Sequence, residues 1–127
     1  MGGEYAVIGK SAPLVDSKVK VTGGAEYTGD MKLPGMLCGK ILRSPYPHAK
    51  IINIDTSRAR RIHGVKAIVT GNDTAGVKYG VIEKAPWTMN ECMLTTDKAR
   101  YIGDEIAAVA AVDEDTAEEA LDLIDVE

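Results

Sequence analysis

Cysteine is scarce in this chain, since Cys38 and Cys92 are the only two among 127 residues. They lie far apart, form no C-x-x-C pair and have no clustered histidines nearby, so neither a disulfide framework nor a zinc site is encoded. Free cysteines behave as small apolar residues that favour the interior of a protein. We therefore expect both thiols to be buried.

Aromatic residues and positive net charge are also lacking. Aromatic residues make up 5% of the chain, and the formal net charge is -4. Proteins that bind nucleic acids present basic surfaces to the phosphates and often aromatic side chains to the bases. The composition therefore argues against a nucleic-acid-binding protein.

Long apolar runs are missing as well. No run reaches the length that spans a membrane, and the start, Met1-Gly-Gly-Glu, lacks the basic and apolar regions of a signal peptide. We therefore predict a cytoplasmic location and no contact with a membrane. The apolar share of 45% and the charged share of 27% are typical of soluble globular proteins. A chain of 127 residues forms one domain, too small for a large enzyme that cradles its own cofactor.

The charges are unevenly distributed along the chain. Residues 40–66 carry seven basic residues and a single acid, Asp55, whereas every charged residue from Asp113 onward is acidic. The plain interpretation is two solvated faces. Two alternatives remain open: the two segments could meet, or each could dock on an oppositely charged neighbour.

A buried strand followed by a helix forms the predicted core unit. Residues 106–112 are an unbroken apolar run, which favours a central strand covered on both faces. Asp115, with Glu118 three places later, resembles a capping box at the start of a helix. The apolar and acidic residues that follow have helical spacing. The apolar stripe is Ala117, Ala120, Leu121 and Ile124, and the solvated face carries Glu118, Glu119 and Asp122.

The rest of the chain predicts short elements separated by glycine and proline. The expected class is α+β, with a mixed sheet and two short strand–helix units. Gly64 is well placed to stop the short helix. The elements are an extended arm at 4–21, strands at 25–28, 36–42, 50–54 and 65–70, a helix at 58–63 and a long loop at 71–96.

Several motifs together resemble a known family. They are KVKVTGGAEYTGDMKLPGML from Lys18, LRSPYPHAKI from Leu42, Ile54-Asp55, GVKA from Gly64 and RYIGDEIAAVAA from Arg100. In this order they resemble the N-terminal a/b hammerhead domain of the large subunit of molybdenum hydroxylases, the xanthine dehydrogenase and aldehyde oxidase family. Within the family, the chain looks somewhat like the large subunit of 4-hydroxybenzoyl-CoA reductase.

The resemblance implies a supporting role in a larger oxidoreductase. Residues 1–127 would form a single hammerhead domain, with residues 1–22 as an extended N-terminal arm, and would be a fragment of a longer large subunit. That subunit would hold molybdenum on molybdopterin, often as the cytosine dinucleotide, and partner subunits or domains would carry [2Fe-2S] clusters and FAD. The family's catalytic and cofactor-binding residues belong to later domains, so the resemblance assigns no catalytic, cofactor or metal site here and predicts an inert isolated chain.

Two alternatives come from other functional classes. Arg58, Arg60 and Arg61 could grip the phosphates of a CoA-like ligand in a small stand-alone binding module, because a guanidinium fork suits phosphate oxygens. The chain could also be a purely structural subunit of an assembly.

A few residues are candidates for contact with other parts of such an enzyme. The resemblance implies that one loop approaches the substrate funnel, and the candidate here is the loop at 76–94 with Trp87. Possible interface residues are Arg43, His48, Arg60 and Arg61. Gly103 and Asp104 suggest a tight turn in which the acid accepts hydrogen bonds from nearby amides.

Replacing Trp87 with alanine tests the proposed funnel loop. In the intact enzyme, Trp87→Ala should change the KM or kcat for substrate, because a large aromatic side chain would be lost from the access path. Steady-state kinetics against the unmodified enzyme measures the effect. Unchanged KM and kcat would remove this loop from consideration.

Overall fold

The structure is a computed structural model that describes residues 6–74, 78–79 and 91–127. The chain divides into two compact units, Met1–Pro34 and Gly35–Glu127.

The first unit contains one short helix, α1 (Ser17–Val21), and a 3-10 turn at Thr28–Asp30. The extended arm predicted at 4–21 therefore ends in a helical turn, where Lys20 pairs with Asp16 four residues earlier. The strand predicted at 25–28 does not form. The Tyr27 N–H donates to the Asp30 carboxylate (3.0 Å) and the Asp30 N–H donates back to the Tyr27 carbonyl (2.9 Å), which curls the chain into the turn.

The second unit contains most of the regular structure among the described residues. Its longer strands are β1 (Cys38–Arg43), β4 (Val65–Thr70) and β8 (Glu105–Ala111), and its helix is α2 (Glu114–Asp122). The two-residue strands are β2 (Ala49–Lys50), β3 (Ile54–Asp55), β5 (Lys78–Tyr79), β6 (Glu91–Cys92), β7 (Lys98–Ala99) and β9 (Asp125–Val126). Two 3-10 turns lie at Ala59–Arg61 and Gly71–Thr74.

The main sheet has three strands in the order β1-β8-β4, and β8 is antiparallel to both neighbours. The prediction of a central strand here is confirmed, one residue earlier than expected. The α+β class is also confirmed. The sheet was predicted to be mixed, but all strand pairs within the described residues are antiparallel. The reason is that α2 leads from β8 into a separate ladder, β3–β9, and not across to a parallel neighbour.

The core lies between α2 and one face of this sheet. Ala107 and Val109 of β8 and Ile68 of β4 are buried against Ala120 and Ile124. The apolar stripe predicted for α2 is confirmed, since its members are buried or half-buried and the acidic residues of the opposite face are exposed. Because alanine has only a methyl group, the helix can lie close to the strand.

The other face of the sheet is less well covered than the sequence suggests. Side chains alternate along each strand, so Ile41, Ala108 and Val69 share the face away from α2. Ile41 is 43% exposed, and Ala108 and Val69 are half-buried. The apolar run of β8 predicted cover on both faces, and within the described part of the chain one face is only partly covered.

The cap of α2 lies two residues before the predicted position. The carboxylate of Asp113 accepts a hydrogen bond from the Thr116 N–H at 2.8 Å, and this bond lowers the pKa of Asp113. The capping box predicted at Asp115 is therefore wrong. The chain leaves β8 at Ala111 and is still extended at Asp113 (φ -149°), which is the backbone shape an N-cap needs.

The strand predicted at 50–54 is broken in two. Ile51 donates its N–H toward Asp97 (2.9 Å), whereas Ile52 and Asn53 both donate toward the carbonyl of Glu127 (2.7 and 3.4 Å). Two residues opposite one is a β-bulge, so β2 pairs with β7 and β3 pairs with β9.

Two other local predictions need adjustment. The helix predicted at 58–63 is only the 3-10 turn Ala59–Arg61, because Ile62 is already extended (ψ 128°). Gly64 ends this segment with a positive φ of 103°, as its place in the sequence predicted.

The two cysteines were predicted to be buried, but both are half-buried free thiols. Cys38 lies on β1, at the edge of the main sheet, and Cys92 lies on the two-residue strand β6.

The helices of the described residues include none long and apolar enough to cross a membrane.

Gly71 lies close to the backbone of Thr95. A Cβ placed there would lie 2.1 Å from the carbonyl oxygen of Thr95, so Gly71→Ala should force the two segments apart and cost about 1–3 kcal/mol of stability. Gly39→Ala is the matched control, because its Cβ would meet only the Val109 carbonyl oxygen at 3.9 Å. Urea unfolding followed by circular dichroism measures both. Equal midpoints for the two variants would contradict the close approach.

Candidate interaction site

Two of the family-like motifs, the one from Leu42 and the one from Arg100, meet where β1 ends and β8 begins. The Ser44 N–H donates to the Asp104 carbonyl (2.9 Å), and the Gly103 N–H donates to the Ser44 carbonyl (2.8 Å). The Asp104 carboxylate accepts from the Arg100 N–H at 2.7 Å. Ser44 is 3% exposed and Asp104 is 6% exposed. We call this group of Arg43, Ser44, Gly103, Asp104 and Glu105 the Ser44–Asp104 junction; it confirms the tight turn inferred for Gly103 and Asp104.

Arg43 closes the junction from outside. Its Nη1 donates to the Gly103 carbonyl (2.8 Å) and to Oε1 of Glu105 (2.6 Å). Partial burial is the largest single influence and raises the pKa of Glu105, but the hydrogen bonds to the carboxylate, chiefly that from Arg43, and the charge of Arg43 together make the net pKa lower than usual. Partial burial, with the charges of Asp104 and Glu105, raises the pKa of Tyr101, whose hydroxyl lies 3.3 Å from Glu105. Arg43 thus bonds within its own chain.

The other predicted interface residues do not gather at the junction. His48 is exposed in the loop after β1. Arg60 donates its Nε to the Thr56 hydroxyl (3.0 Å) and its Nη2 to the Ile68 carbonyl (3.0 Å). The interface role of Arg43, His48, Arg60 and Arg61 stays a prediction.

The three neighbouring arginines do not converge as a phosphate fork. The Arg60 guanidinium donates to the Ile68 carbonyl, while Arg58 and Arg61 lie near Asp55. The pKa of Asp55 is lowered mainly by the Ser57 N–H bond and further by these two charges. The structure therefore does not favour the CoA-binding alternative.

Trp87 lies outside the described residues, as does most of the loop predicted at 76–94. Its place at a substrate funnel stays a prediction.

The basic and acidic segments meet at one point. Nζ of Lys40 lies 2.6 Å from the Glu114 carboxylate and 2.8 Å from the Glu118 carboxylate. Hydrogen bonds to these two acids raise the pKa of Lys40. The contact ties α2 to β1, so the alternative in which the two segments meet is correct here.

An apolar pocket of about 280 Å³ lies beside the junction, between the end of β1, the loop that follows it and strands β7 to β9. Its walls are apolar and its rim is charged. The walls include Ile51, Ala99, Ile106, Ile124 and Val126, and the rim includes Lys50 and Glu127. Sequence reasoning missed this pocket because its walls come from separate segments, each of which is an ordinary short strand.

Residues 22–127 match the family model described as "Aldehyde oxidase and xanthine dehydrogenase, a/b hammerhead domain". The chain belongs to this family. The resemblance that the sequence motifs suggested is thereby confirmed.

Relatives of this hammerhead domain are considerably longer proteins. It is 46% identical over 113 residues to a probable xanthine dehydrogenase subunit of Bacillus subtilis, covering 88% of this chain and 14% of that protein. It is 42% identical over 128 residues to "Nicotinate dehydrogenase large molybdopterin subunit" of Eubacterium barkeri, covering 100% of this chain and 29% of that protein. The chain thus spans less than a third of the length of either relative.

Solved structures show the same fold. The aldehyde oxidoreductase from Desulfovibrio desulfuricans is similar with a TM-score of 0.85 at 28% identity, covering 94% of this chain and 14% of that chain. The CO dehydrogenase from Oligotropha carboxidovorans is similar with a TM-score of 0.81 at 30% identity, covering 94% of this chain and 15% of that chain.

The described part of the hammerhead domain does not fit a molybdenum cofactor. Among residues 6–74, 78–79 and 91–127, no group of three His, Cys, Asp or Glu side chains could hold a metal ion. The pocket beside the junction has apolar walls, whereas a pterin and its phosphates need many polar partners.

Asp104 should contribute more to stability than its neighbour Asp97, although both bond to Arg100. Asp104→Ala removes the buried carboxylate that accepts from the Arg100 N–H and should cost about 1–3 kcal/mol. Asp97→Ala removes only an exposed pair with the Arg100 guanidinium, so its effect should be much smaller. Thermal unfolding at pH 7 compares them. Equal losses would show that the junction is not a stabilising element.

Proposed function

We propose that this hammerhead domain is the N-terminal structural domain of the molybdopterin-binding large subunit of a molybdenum hydroxylase-type oxidoreductase. The main support is the match along the whole chain to a protein named as a large molybdopterin subunit. In this proposal the domain supports the molybdenum site and the subunit interfaces, and it is not catalytic alone.

The domain's own residues would act by holding surfaces in place. The core between α2 and the main sheet fixes β8, and the Ser44–Asp104 junction fixes the loops at the ends of β1 and β8. Hydrogen bonds of buried groups make such a junction rigid. Loops held in this way can present a defined surface to the rest of a large subunit.

Exposed apolar side chains support docking on other domains. In the first unit, Leu14 is 75% exposed, Val15 102% and Val21 84%. In the second unit, the partly covered face of the main sheet includes Ile41. Contiguous exposed apolar surface usually marks an interaction site. We infer that the remaining molybdenum-binding domains of the same subunit cover these residues.

The finer parts of the proposal concern cofactors, partners and location. The complete enzyme would hold molybdenum on molybdopterin, as the cytosine dinucleotide, with [2Fe-2S] clusters and FAD on partner subunits or domains. Its partners would be iron-sulfur and flavin subunits, and its location would be the cytoplasm.

Relatives of the same fold are named for xanthine, nicotinate and carbon monoxide. We therefore propose that the described part of the domain does not select the substrate, and the likeness to 4-hydroxybenzoyl-CoA reductase stays a prediction.

Metal analysis of the protein from its native cells tests the proposal. The gene is tagged in place, the encoded polypeptide is purified with its partners, and molybdenum and iron are measured per chain. We expect both metals to co-purify in the whole protein, and neither to remain with the isolated 127-residue chain.

Two outcomes would contradict the proposal. One is a native preparation without molybdenum, and the other is molybdenum, pterin or turnover retained by the isolated chain. The Asp97→Ala variant serves as control, because an exposed pair on the surface should leave the metal content of the native protein unchanged.

A further inference from the structure

One side of β4 pairs with β8, and its other side is an outer edge of the main sheet. In an antiparallel ladder, successive residues direct their N–H and C=O groups alternately to the two sides. Just after β8, the Val112 N–H donates to the Gly64 carbonyl (3.0 Å), so the even-numbered residues of β8 face β4. Beyond the bulge in β4, its odd-numbered residues lie opposite them. Ile68 and Thr70 therefore direct their main-chain groups to the outside of the sheet.

Two charged side chains of the same unit occupy this outer edge. Nη2 of Arg60 donates to the Ile68 carbonyl at 3.0 Å. The Asp73 carboxylate accepts from the Thr70 N–H (2.7 Å) and from the Thr70 hydroxyl (3.0 Å). These bonds from Thr70 lower the pKa of Asp73, and the charge of Arg60 lowers it further. The two side chains thus supply bonds that a neighbouring strand would otherwise supply.

These bonds obstruct a new strand in either direction at the middle of β4. An antiparallel partner exchanges both an N–H and a C=O bond with one residue, so it needs the Ile68 carbonyl or the Thr70 N–H. A parallel partner opposite Val69 needs both of these groups. Toward the start of β4, the bulge at Lys66 interrupts the regular spacing of the edge. A strand that adds at Ile68 or Thr70 must therefore displace Arg60 or Asp73.

The composition of β4 makes such obstruction useful. Its sequence, Val-Lys-Ala-Ile-Val-Thr, is rich in β-branched residues, with a single charge and no proline. An unpaired edge of this kind is a template for another chain, and proteins protect such edges with charged side chains and bulges. The same edge of a second copy is present in any solution of the protein, and two identical edges can pair across a two-fold axis.

We infer that Arg60 and Asp73 act as a pair of caps that close the outer edge of β4 to strand pairing with a second copy of this chain. The inference goes beyond the proposed function, because it concerns association of the domain with itself and needs no cofactor or partner subunit.

Removal of both caps tests the inference. The double variant Arg60→Met and Asp73→Ala frees the Ile68 carbonyl and the Thr70 N–H, and methionine keeps much of the apolar stem of Arg60. The dissociation constant for self-association, measured by sedimentation velocity, should fall at least about tenfold relative to the unmodified chain. Hydrogen exchange of the outward-facing Ile68 amide, followed by NMR, should slow about tenfold as the variant's concentration rises, because pairing protects it.

Two control comparisons separate the caps from other effects of substitution. Asp73→Asn keeps a side-chain carbonyl that can accept from the Thr70 N–H, so it should associate less than Asp73→Ala. Lys20→Met with Asp16→Ala removes an exposed ion pair in the first unit and the same two charges. This variant should associate as the unmodified chain does.

Three outcomes would overturn the inference. The first is equal association of the unmodified chain and the double variant. The second is stronger association without slower exchange at Ile68, since the contact would then lie elsewhere. The third is equal association of Asp73→Ala and Asp73→Asn. The Asp73 side chain is exposed, so these two single variants decide the question even if the double variant does not fold.

The whole protein from native cells carries the same test. Mass photometry of the protein with Arg60→Met and Asp73→Ala should show larger particles than the unmodified protein, and an unchanged particle mass would contradict the inference. Metal content, which tests the proposed function, does not enter this comparison. Failure of the inference and failure of the proposed function are therefore distinguishable.

Discussion

The burial of β8 between β1 and β4, under α2, is the constraint on which the second unit depends. Ala107 and Val109 face the helix, and Ala120 of the helix and Ile124, just beyond the end of the helix, face the strand. Because three of these four contact residues are small or compact, helix and strand approach closely and exclude water from the space between them. The other elements take their places from this pair: Lys40 holds β1 against the helix, and the end of α2 delivers β9 to β3.

The family-like motifs serve this architecture and do not form a reactive centre in the described residues. Ser44 and Asp104 exchange main-chain hydrogen bonds with each other's turns, and Arg43 bridges Gly103 and Glu105. Such bonds have to be made once the groups are buried, because an unpaired buried polar group is costly. Proteins named for different substrates can share this scaffold, since the bonds fix the backbone and leave the chemistry to other parts of the molecule.

The surfaces of the domain fit a role as one part of a larger subunit. The sheet face with Ile41, the exposed residues around Val15 and the pocket beside Lys50 all present apolar groups to the outside. In a free-standing small domain such groups favour association, whereas in a large subunit they are contact surfaces.

The sequence by itself determined the elements whose pattern is local: β8 as an apolar run, β4 as a short strand, the stripe of α2 and the glycine stop at Gly64. It also determined the family, because the motifs occur in order. Only the tertiary structure decided what depends on partners far along the chain. The bulge at Ile52 arises from Glu127, the cap at Asp113 from where β8 ends, and the pocket from walls that several segments supply. Local periodicity does not predict which distant segments pair, because hydrogen bonds between distant residues form only when the core brings them together.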